Sequence, residues 1–427
     1  MESNEQGMWK EDVQRANFRP LSPTQLRKFG LSRNIAKHVN TLDELEKSPP
    51  NIIICKGKRT FKFVQNYFKE QQIKKKIKYV MGLGVFQQLQ YSGGNQKEKL
   101  LMPTSIQFKK IYSPYKGQDI DDSTILVFRT GGIGDLLFIQ PNLRYLKEKH
   151  PTCNIKFACG PQYQPMVNNW DCVDEVLDLP FNFKHLINSQ YHLLFEGVIE
   201  RCKEAETVNA YNLFSRWMGL DLPDELLIPK QEPEEELLQK CLKIVDDWNL
   251  TNKAMVVMQL RASSPIRTPR HSFWTKIIDE LNERGYNVVL TDNPRQTENI
   301  DEFISMIKKQ DMIFNFCKYS ESIAHSIALT KLSTAVMATD SALLHIAASL
   351  DIPCFGIFGP FPGHIRLKTY PKAAWVDAKK ECAPCFMHSH MPCPATLNGY
   401  SPCYDELIDT EHKLKDVIDK FEELVND

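Results

Sequence analysis

This chain of 427 residues reads as an α/β protein with two doubly wound units, each a parallel sheet with crossover helices, behind an N-terminal extension. Three observations predict that class. From Thr124 onward, short apolar runs alternate with helical patterns, as parallel strands and their crossover helices do in sequence. The alternation breaks at Glu232-Pro233-Glu234-Glu235-Glu236, which suits a linker or a helix start, and then resumes. The length itself calls for two or three domains.

The elements follow in order. Residues 1–50 are polar and helix-leaning, closed by Ser48-Pro49-Pro50. Residues 51–116 alternate short apolar runs with basic stretches around a turn at Ser92-Gly93-Gly94-Asn95, which suits a small appended α/β or helical module. The first unit holds strand 125–129, helix 135–149, strand 155–159 and strands near 175–179 and 192–195. The second has strands 255–260, 286–291, 312–316, 333–338 and 353–358, with helices 272–284, 297–309, 321–330 and 341–350 between them. The division expected is therefore 1–116 for the extension, 117–231 and 232–378 for the two units, and 379–427 for a Cys-rich loop and final helix. Two such units place a crevice between the carboxyl ends of their sheets, where ligands of these folds bind.

Composition narrows the function. Hydrophobic residues at 42% and charged residues at 25% describe a soluble globular protein, and Lys+Arg and Asp+Glu both number 53. No global charge argues for nucleic acid, and no nucleic-acid partner is expected. Between Lys56 and Lys116, however, fourteen Lys/Arg stand against two acidic residues, Glu70 and Glu98. That stretch is either a solvated basic face or a peripheral contact for an anionic partner or membrane surface. The N-terminus lacks an apolar signal core, and no run of apolar residues is long enough to span a bilayer, so a cytoplasmic protein is expected. In that compartment the twelve cysteines should be thiols or metal ligands.

Two segments carry chemistry. In Ile125–Asp135, ILVFRTGGIGD, a buried strand runs into a glycine turn, and Asp135 stands at the mouth of an apolar helix. Gly132 and Gly134 let the backbone approach a ligand, and a carboxylate at that mouth is either an N-cap or a general base. The second segment, STAVMATDSALLHIAASLDIPCFGIFG over 333–359, is strand, turn, helix, strand. Asp340 and Ser341 stand at the helix start, where unpaired N–H groups can hold a phosphate. His345 lies one turn beyond Ser341 on the same side, as a ligand contact or a satisfied core histidine.

Read together, these segments resemble the heptosyltransferase family of inverting glycosyltransferases, glycosyltransferase family 9. The first signature, a strand and glycine turn ending in Gly-Asp, is Arg129 to Asp135; the second is Asp340-Ser341-Ala342, His345, Ala347-Ala348 and Gly359-Pro360. The helix from Pro141 to Pro151 is also similar, and the resemblance spans about residues 124–425. Ala342 departs from the family's usual Gly. Where a Lys commonly precedes a Trp, this chain has Arg261, Arg267 and Arg270 before Phe273 and Trp274. The resemblance implies a GT-B fold, two Rossmann-like domains facing an interdomain cleft. It implies a nucleotide-sugar donor, usually ADP-heptose, transferred to an acceptor glycan, lipid-linked glycan or protein in lipopolysaccharide-type biosynthesis. Asp135 would deprotonate the acceptor hydroxyl. Gly132, Gly134, Asp340, Ser341, His345 and Gly359 would line the donor site, with Arg261 or Arg267 on the diphosphate. No catalytic metal is expected, since helix termini and arginines can stabilise the leaving diphosphate. The competing class is a non-catalytic nucleotide- or sugar-binding protein of the same fold, in which Asp135 is only a cap.

Cys382, Cys385, Cys393 and Cys403 gather a third of the cysteines into 22 residues, with His388 and His390 between. A Cys-x-x-Cys knuckle with two further thiols has metal-ligand spacing, which suits a structural zinc or iron. Free or conditionally paired thiols are the other reading.

Overall fold

The computed structural model describes residues 119–427 except 180, 183, 184, 186–188, 200, 201, 388–392, 394–400 and 427, and four short strands within the first 118 residues. Those strands are β1 (Ala36–Lys37), β2 (Ile52–Cys55), β3 (Tyr79–Gly82) and β4 (Leu100–Leu101), of which the first three form one parallel sheet. The rest of the basic region, and the spare ligand candidates His388 and His390, lie outside the described residues.

The chain forms two compact units that interleave in sequence: one holds residues up to Thr130, 150–161 and 173–196, the other 131–149, 162–172 and 197–427. In the first, β5 (Thr124–Phe128), β6 (Asn154–Ala158), β7 (Glu175–Leu177) and β9 (Tyr191–Leu194) pair in parallel in the order β7-β6-β5-β9. The short β8 (Phe181–Asn182) pairs antiparallel with β4. The apolar run Ile125–Phe128 lies in an inner strand, between β6 and β9, and is buried along its length, as expected of a strand covered on both faces. The order reverses between β5 and β9. There Thr130 donates from N and Oγ1 to Glu196 Oε1 at 2.5 and 2.6 Å, and Arg129 Nη1 donates to the Phe195 carbonyl at 2.8 Å.

The second unit carries a six-stranded parallel sheet: β10 (Met255–Gln259), β11 (Asn287–Leu290), β12 (Ile313–Asn315), β13 (Ala335–Thr339), β14 (Cys354–Phe358) and β15 (Ala373–Asp377). Its order, β12-β11-β10-β13-β14-β15, is that of a doubly wound nucleotide-binding sheet, with the reversal between β10 and β13. Gln259 pairs with Ala338, so the chain leaves both central strands at one level, into Leu260-Arg261 and Asp340-Ser341. Five of these strands match the alternation read in the sequence. β15 was not anticipated, because Ala373–Asp377 is half-buried at the sheet edge and lacks a continuous apolar run.

Helices complete this unit: α1 (Ile133–Lys149), α2 (Ala210–Trp217), α3 (Glu235–Asp247), α4 (His271–Glu283), α5 (Thr297–Ile304), α6 (Ile323–Lys331), α7 (Ala342–Ser349) and α8 (Glu411–Asn426). Chain order alone assigns α1 to the first unit, but it packs in the second. The acidic stretch at 232–236 is the start of a helix: Pro233 and Glu234 precede α3, whose first turn holds Glu235 and Glu236 against the positive end of the helix dipole.

One core underlies the β10–β14 face, with Trp274 fully buried and its Nε1 donating to the Leu260 carbonyl at 2.8 Å. α8 adds Val417, Ile418 and Phe421 to that core, and Arg284 at the end of α4 pairs with Asp419 at 2.7 Å and with Glu422. Phe421 is fully buried against Phe355 and Tyr286. Replacing it by Ala should cost about 3–5 kcal/mol of unfolding free energy by denaturant titration. A loss near zero would mean that α8 is not part of this core.

Candidate active site

The carboxyl ends of β10 and β13 build the site. β13 is buried throughout and ends in Thr339; Asp340 follows, and Ser341 is the N-cap of α7, extended at φ −139°, ψ 168°. The Ser341 hydroxyl does not cap its own helix. Among the described residues, buried Ser341 Oγ and Thr339 Oγ1 have no hydrogen-bond partner. Unpaired buried hydroxyls are rare in native folds, and two beside the free N–H groups of a helix start call for an outside acceptor.

Asp340 is the charged centre. Its Oδ2 lies 3.2 Å from Arg267 Nη1, which also donates to the Asp340 carbonyl at 2.8 Å, and its Oδ1 lies 3.5 Å from Arg366 Nε. Burial alone would raise this carboxyl, but the two guanidinium groups outweigh it and hold it down at about 2. Arg366 is itself buried and lies over the Phe361 ring at 4.9 Å. It sits in the one-turn helix His364–Leu367, and no sequence pattern marked it.

His345 is on α7, with its imidazole 3% exposed. Its Nδ1 lies 2.9 Å from the Tyr211 hydroxyl and 2.9 Å from the Tyr370 hydroxyl, and Phe138 of α1 meets the ring edge-on at 4.8 Å. Burial pushes its pKa down to about 3, so the ring is neutral at ordinary pH. The tyrosines were not anticipated. Tyr211 lies in α2, whose Tyr211, Leu213 and Phe214 read as plain core, and Tyr370 lies in a loop.

The glycine turn meets this site through α1. Gly132 has φ +84° and accepts through its carbonyl from Leu136 N at 2.9 Å, so the helix starts at Ile133. Asp135 is therefore the third residue of the helix and not its N-cap. A Cβ on Gly132 would come within 2.4 Å of Asp135 Oδ2, so the carboxylate folds back over that glycine, in the sense of a capping box. Asp135 stays partly solvent-exposed. A Cβ on Gly134 would lie 3.1 Å from His345 Cδ2 and 3.6 Å from Nε2. The two glycines thus have different reasons: the first a left-handed backbone under a carboxylate, the second the approach of an imidazole.

The structure brings Gly134, Arg267, Asp340, Ser341 and His345 together, and Asp135 follows Gly134 in the same turn. Arg261 is half-exposed and paired with Asp292 at 3.1 Å. Gly359 packs against the cysteine loop, since a Cβ there would meet Cys403 Sγ at 2.8 Å and the Tyr404 ring at 2.9 Å.

The cysteine loop adjoins the arginine clamp. Ser401 Oγ donates to the Ile266 carbonyl at 2.6 Å and Tyr404 Oη to the Arg267 carbonyl at 3.2 Å. Cys403 is buried, and Cys382, Cys385 and Cys393 lie near enough that their charges add to burial in pushing its thiol up to about 12. Among the described residues, the one group of three ligand atoms within 4.8 Å of one another is instead Asp119, Asp121 and His150 in the first unit, where both aspartates are exposed.

Residues 200–394 match the family described as glycosyltransferase family 9 (heptosyltransferase). Lipopolysaccharide heptosyltransferase 2 of Salmonella typhimurium is 24% identical over 290 residues, covering 55% of this chain and 82% of that protein. A family 9 glycosyl transferase from Veillonella parvula superposes with a TM-score of 0.54 at 13% identity, covering 72% of this chain and 98% of its own. ADP-heptose lipopolysaccharide heptosyltransferase II of E. coli gives 0.54 at 16% identity, covering 71% and 98%. An iron-containing dodecameric glycosyltransferase from enterotoxigenic E. coli gives 0.50 at 14%, covering 72% and 78%. Fold and matches together define a glycosyltransferase with the GT-B fold of two Rossmann-like units. Within that class residues 200–394 are similar to glycosyltransferase family 9, the heptosyltransferases, and that stretch contains the second of the two signatures.

The buried pair makes a pH prediction. His345 takes up a proton near 6.5 when unfolded but only near 3 when folded, and Asp340 is likewise depressed, from 3.8 to about 2. In both cases the unfolded chain binds the proton first, so stability falls as pH drops, from about 6.5 for the histidine and from about 3.8 for the aspartate. A His345→Gln protein should show a flatter dependence of melting temperature on pH between 6.5 and 4 than the parent. Parallel curves would mean that this histidine is not held neutral.

Proposed function

We propose that this enzyme transfers a heptose from ADP-heptose to an acceptor hydroxyl with inversion of configuration. The observation that carries the reading is the pair of unpartnered buried hydroxyls, Thr339 and Ser341, at the N-terminus of α7 beside the Arg267–Asp340–Arg366 cluster. The N–H groups at the start of α7 and the Ser341 hydroxyl would bind the donor diphosphate. Arg267 would meet its charge from a guanidinium already oriented by Asp340, so little reorganisation is needed as the diphosphate leaves. Ala342, where the family commonly has Gly, leaves the backbone N–H groups in place and adds one methyl at the approach.

Asp135 is proposed as the general base. Its carboxylate is partly exposed and sits one residue from the Gly134 that touches His345. It would take the acceptor hydroxyl proton as that oxygen attacks the anomeric carbon opposite the leaving diphosphate. The acceptor would be a glycan, a lipid-linked glycan or a protein hydroxyl. The fourteen Lys/Arg between Lys56 and Lys116 would give an anionic membrane surface a peripheral contact. No helix among the described residues is long and apolar enough to cross a membrane.

An Asp135→Asn protein tests the assignment directly. It should bind ADP as the parent does and lose about two to four powers of ten in ADP release from ADP-heptose with acceptor. Full transfer activity in that protein would instead leave Asp135 as the capping-box carboxylate that its fold over Gly132 also describes.

Cys382, Cys385, Cys393 and Cys403 are proposed to hold one structural zinc or iron ion as thiolates. Such an ion would supply no chemistry to transfer; it would tie the loop to the backbone of Arg267. Elemental analysis of protein purified without added metal should find about one equivalent, and a chelator should loosen the loop before the sheets unfold. Metal well below one equivalent, with all four thiols freely titratable, would overturn the assignment.

A further inference from the structure

The convergence of two tyrosine hydroxyls on one ring nitrogen of His345 has a chemical consequence. A neutral imidazole carries its proton on either Nδ1 or Nε2, and the hydrogen bond at one nitrogen decides the other. Tyr211 Oη and Tyr370 Oη each lie 2.9 Å from Nδ1. Among the described residues neither hydroxyl has another hydrogen-bond partner, and burial keeps the Tyr370 phenol protonated. A proton on Nδ1 would leave both buried O–H groups without an acceptor. A lone pair there gives them one to share.

We propose that Tyr211 and Tyr370 are positioning residues that lock His345 as the neutral Nε2–H tautomer, making its outer edge a hydrogen-bond donor to an anionic oxygen of the substrate. The placement of that edge supports the role. Nε2 and Cδ2 face Gly134 in the first turn of α1, the turn that also carries Asp135. Phe138 meets the imidazole edge-on at 4.8 Å and is itself packed edge-on against the Tyr211 ring at 4.3 Å, so the imidazole cannot swing toward Phe138 without moving both. A neutral donor suits this position. It can bond to a diphosphate oxygen without titrating near neutral pH and without adding a third cation beside Arg267 and Arg366. The donor role rests on the transferase reading above; the tautomer does not.

The test starts with the unaltered protein. Protein labelled with ¹⁵N in histidine, with His345 assigned by loss of its signals in a His345→Gln sample, reports which nitrogen bears the proton. Nε2 should show the protonated shift and Nδ1 the unprotonated one, unchanged between pH 6 and 8. A protonated Nδ1 would overturn the tautomer assignment. Adding ADP should move the Nε2 resonance; ADP that binds and leaves it unmoved would overturn the donor role while leaving the tautomer intact. A Tyr211→Phe/Tyr370→Phe protein should show both tautomers and bind ADP about two- to tenfold more weakly, the range for one neutral hydrogen bond. Retention of the Nε2–H form and of parental affinity in that protein would overturn the positioning role. If the double variant does not fold, the two single variants, Tyr211→Phe and Tyr370→Phe, should each keep the Nε2–H form through the remaining hydroxyl, and a protonated Nδ1 in either would overturn the positioning role.

Discussion

The carboxylate of Asp340 is the interaction around which the second unit's site is arranged. It is almost wholly buried, and a buried charge is tolerable only when paired and hydrogen-bonded. Arg267 and Arg366 supply that pairing from opposite directions in the chain, one after β10 and one after β14. Each arginine is then held by its own support. Phe361 lies under Arg366, and the backbone of Arg267 accepts from Tyr404. Removing Asp340 would leave two cations facing one another near the start of α7, so the placement of both guanidinium groups depends on this one carboxylate.

That dependence links the site to the chain's far end. Ser401 and Tyr404 flank Cys403 and fasten the cysteine loop to Ile266 and Arg267, while Arg270 pairs with Asp405 at 2.7 Å. α8 follows directly and fills the same core as Trp274. Tyr404 thus fastens this end of the chain to the backbone of Arg267, whose guanidinium pairs with Asp340.

A second constraint runs through Phe138. It contacts Tyr211, Phe214 and His345, and so couples α1, α2 and α7 in one aromatic cluster. Because Asp135 lies three residues before Phe138 in the same helix, the packing of that ring sets where the carboxylate stands relative to α7. Gly134 completes the arrangement by leaving room for the imidazole.

The sequence by itself determined the strand and helix alternation, because buried parallel strands must be continuously apolar and their crossover helices must not be. It also pointed to Asp135, Asp340, Ser341 and His345, since glycine turns and helix starts leave a local mark. It placed α1 by chain order and Asp135 at the helix mouth, and both readings yielded to packing: a left-handed Gly132 starts the helix two residues early, and the helix belongs to the second unit. Arg261 and Arg267 were indistinguishable in the sequence, and only the fold pairs one with Asp292 and the other with Asp340. Arg366, Tyr211 and Tyr370 carried no local mark at all. Their roles come from long-range convergence on Asp340 and His345, between 25 and 134 residues apart, and such proximity is set by tertiary packing and not by any periodicity along the chain.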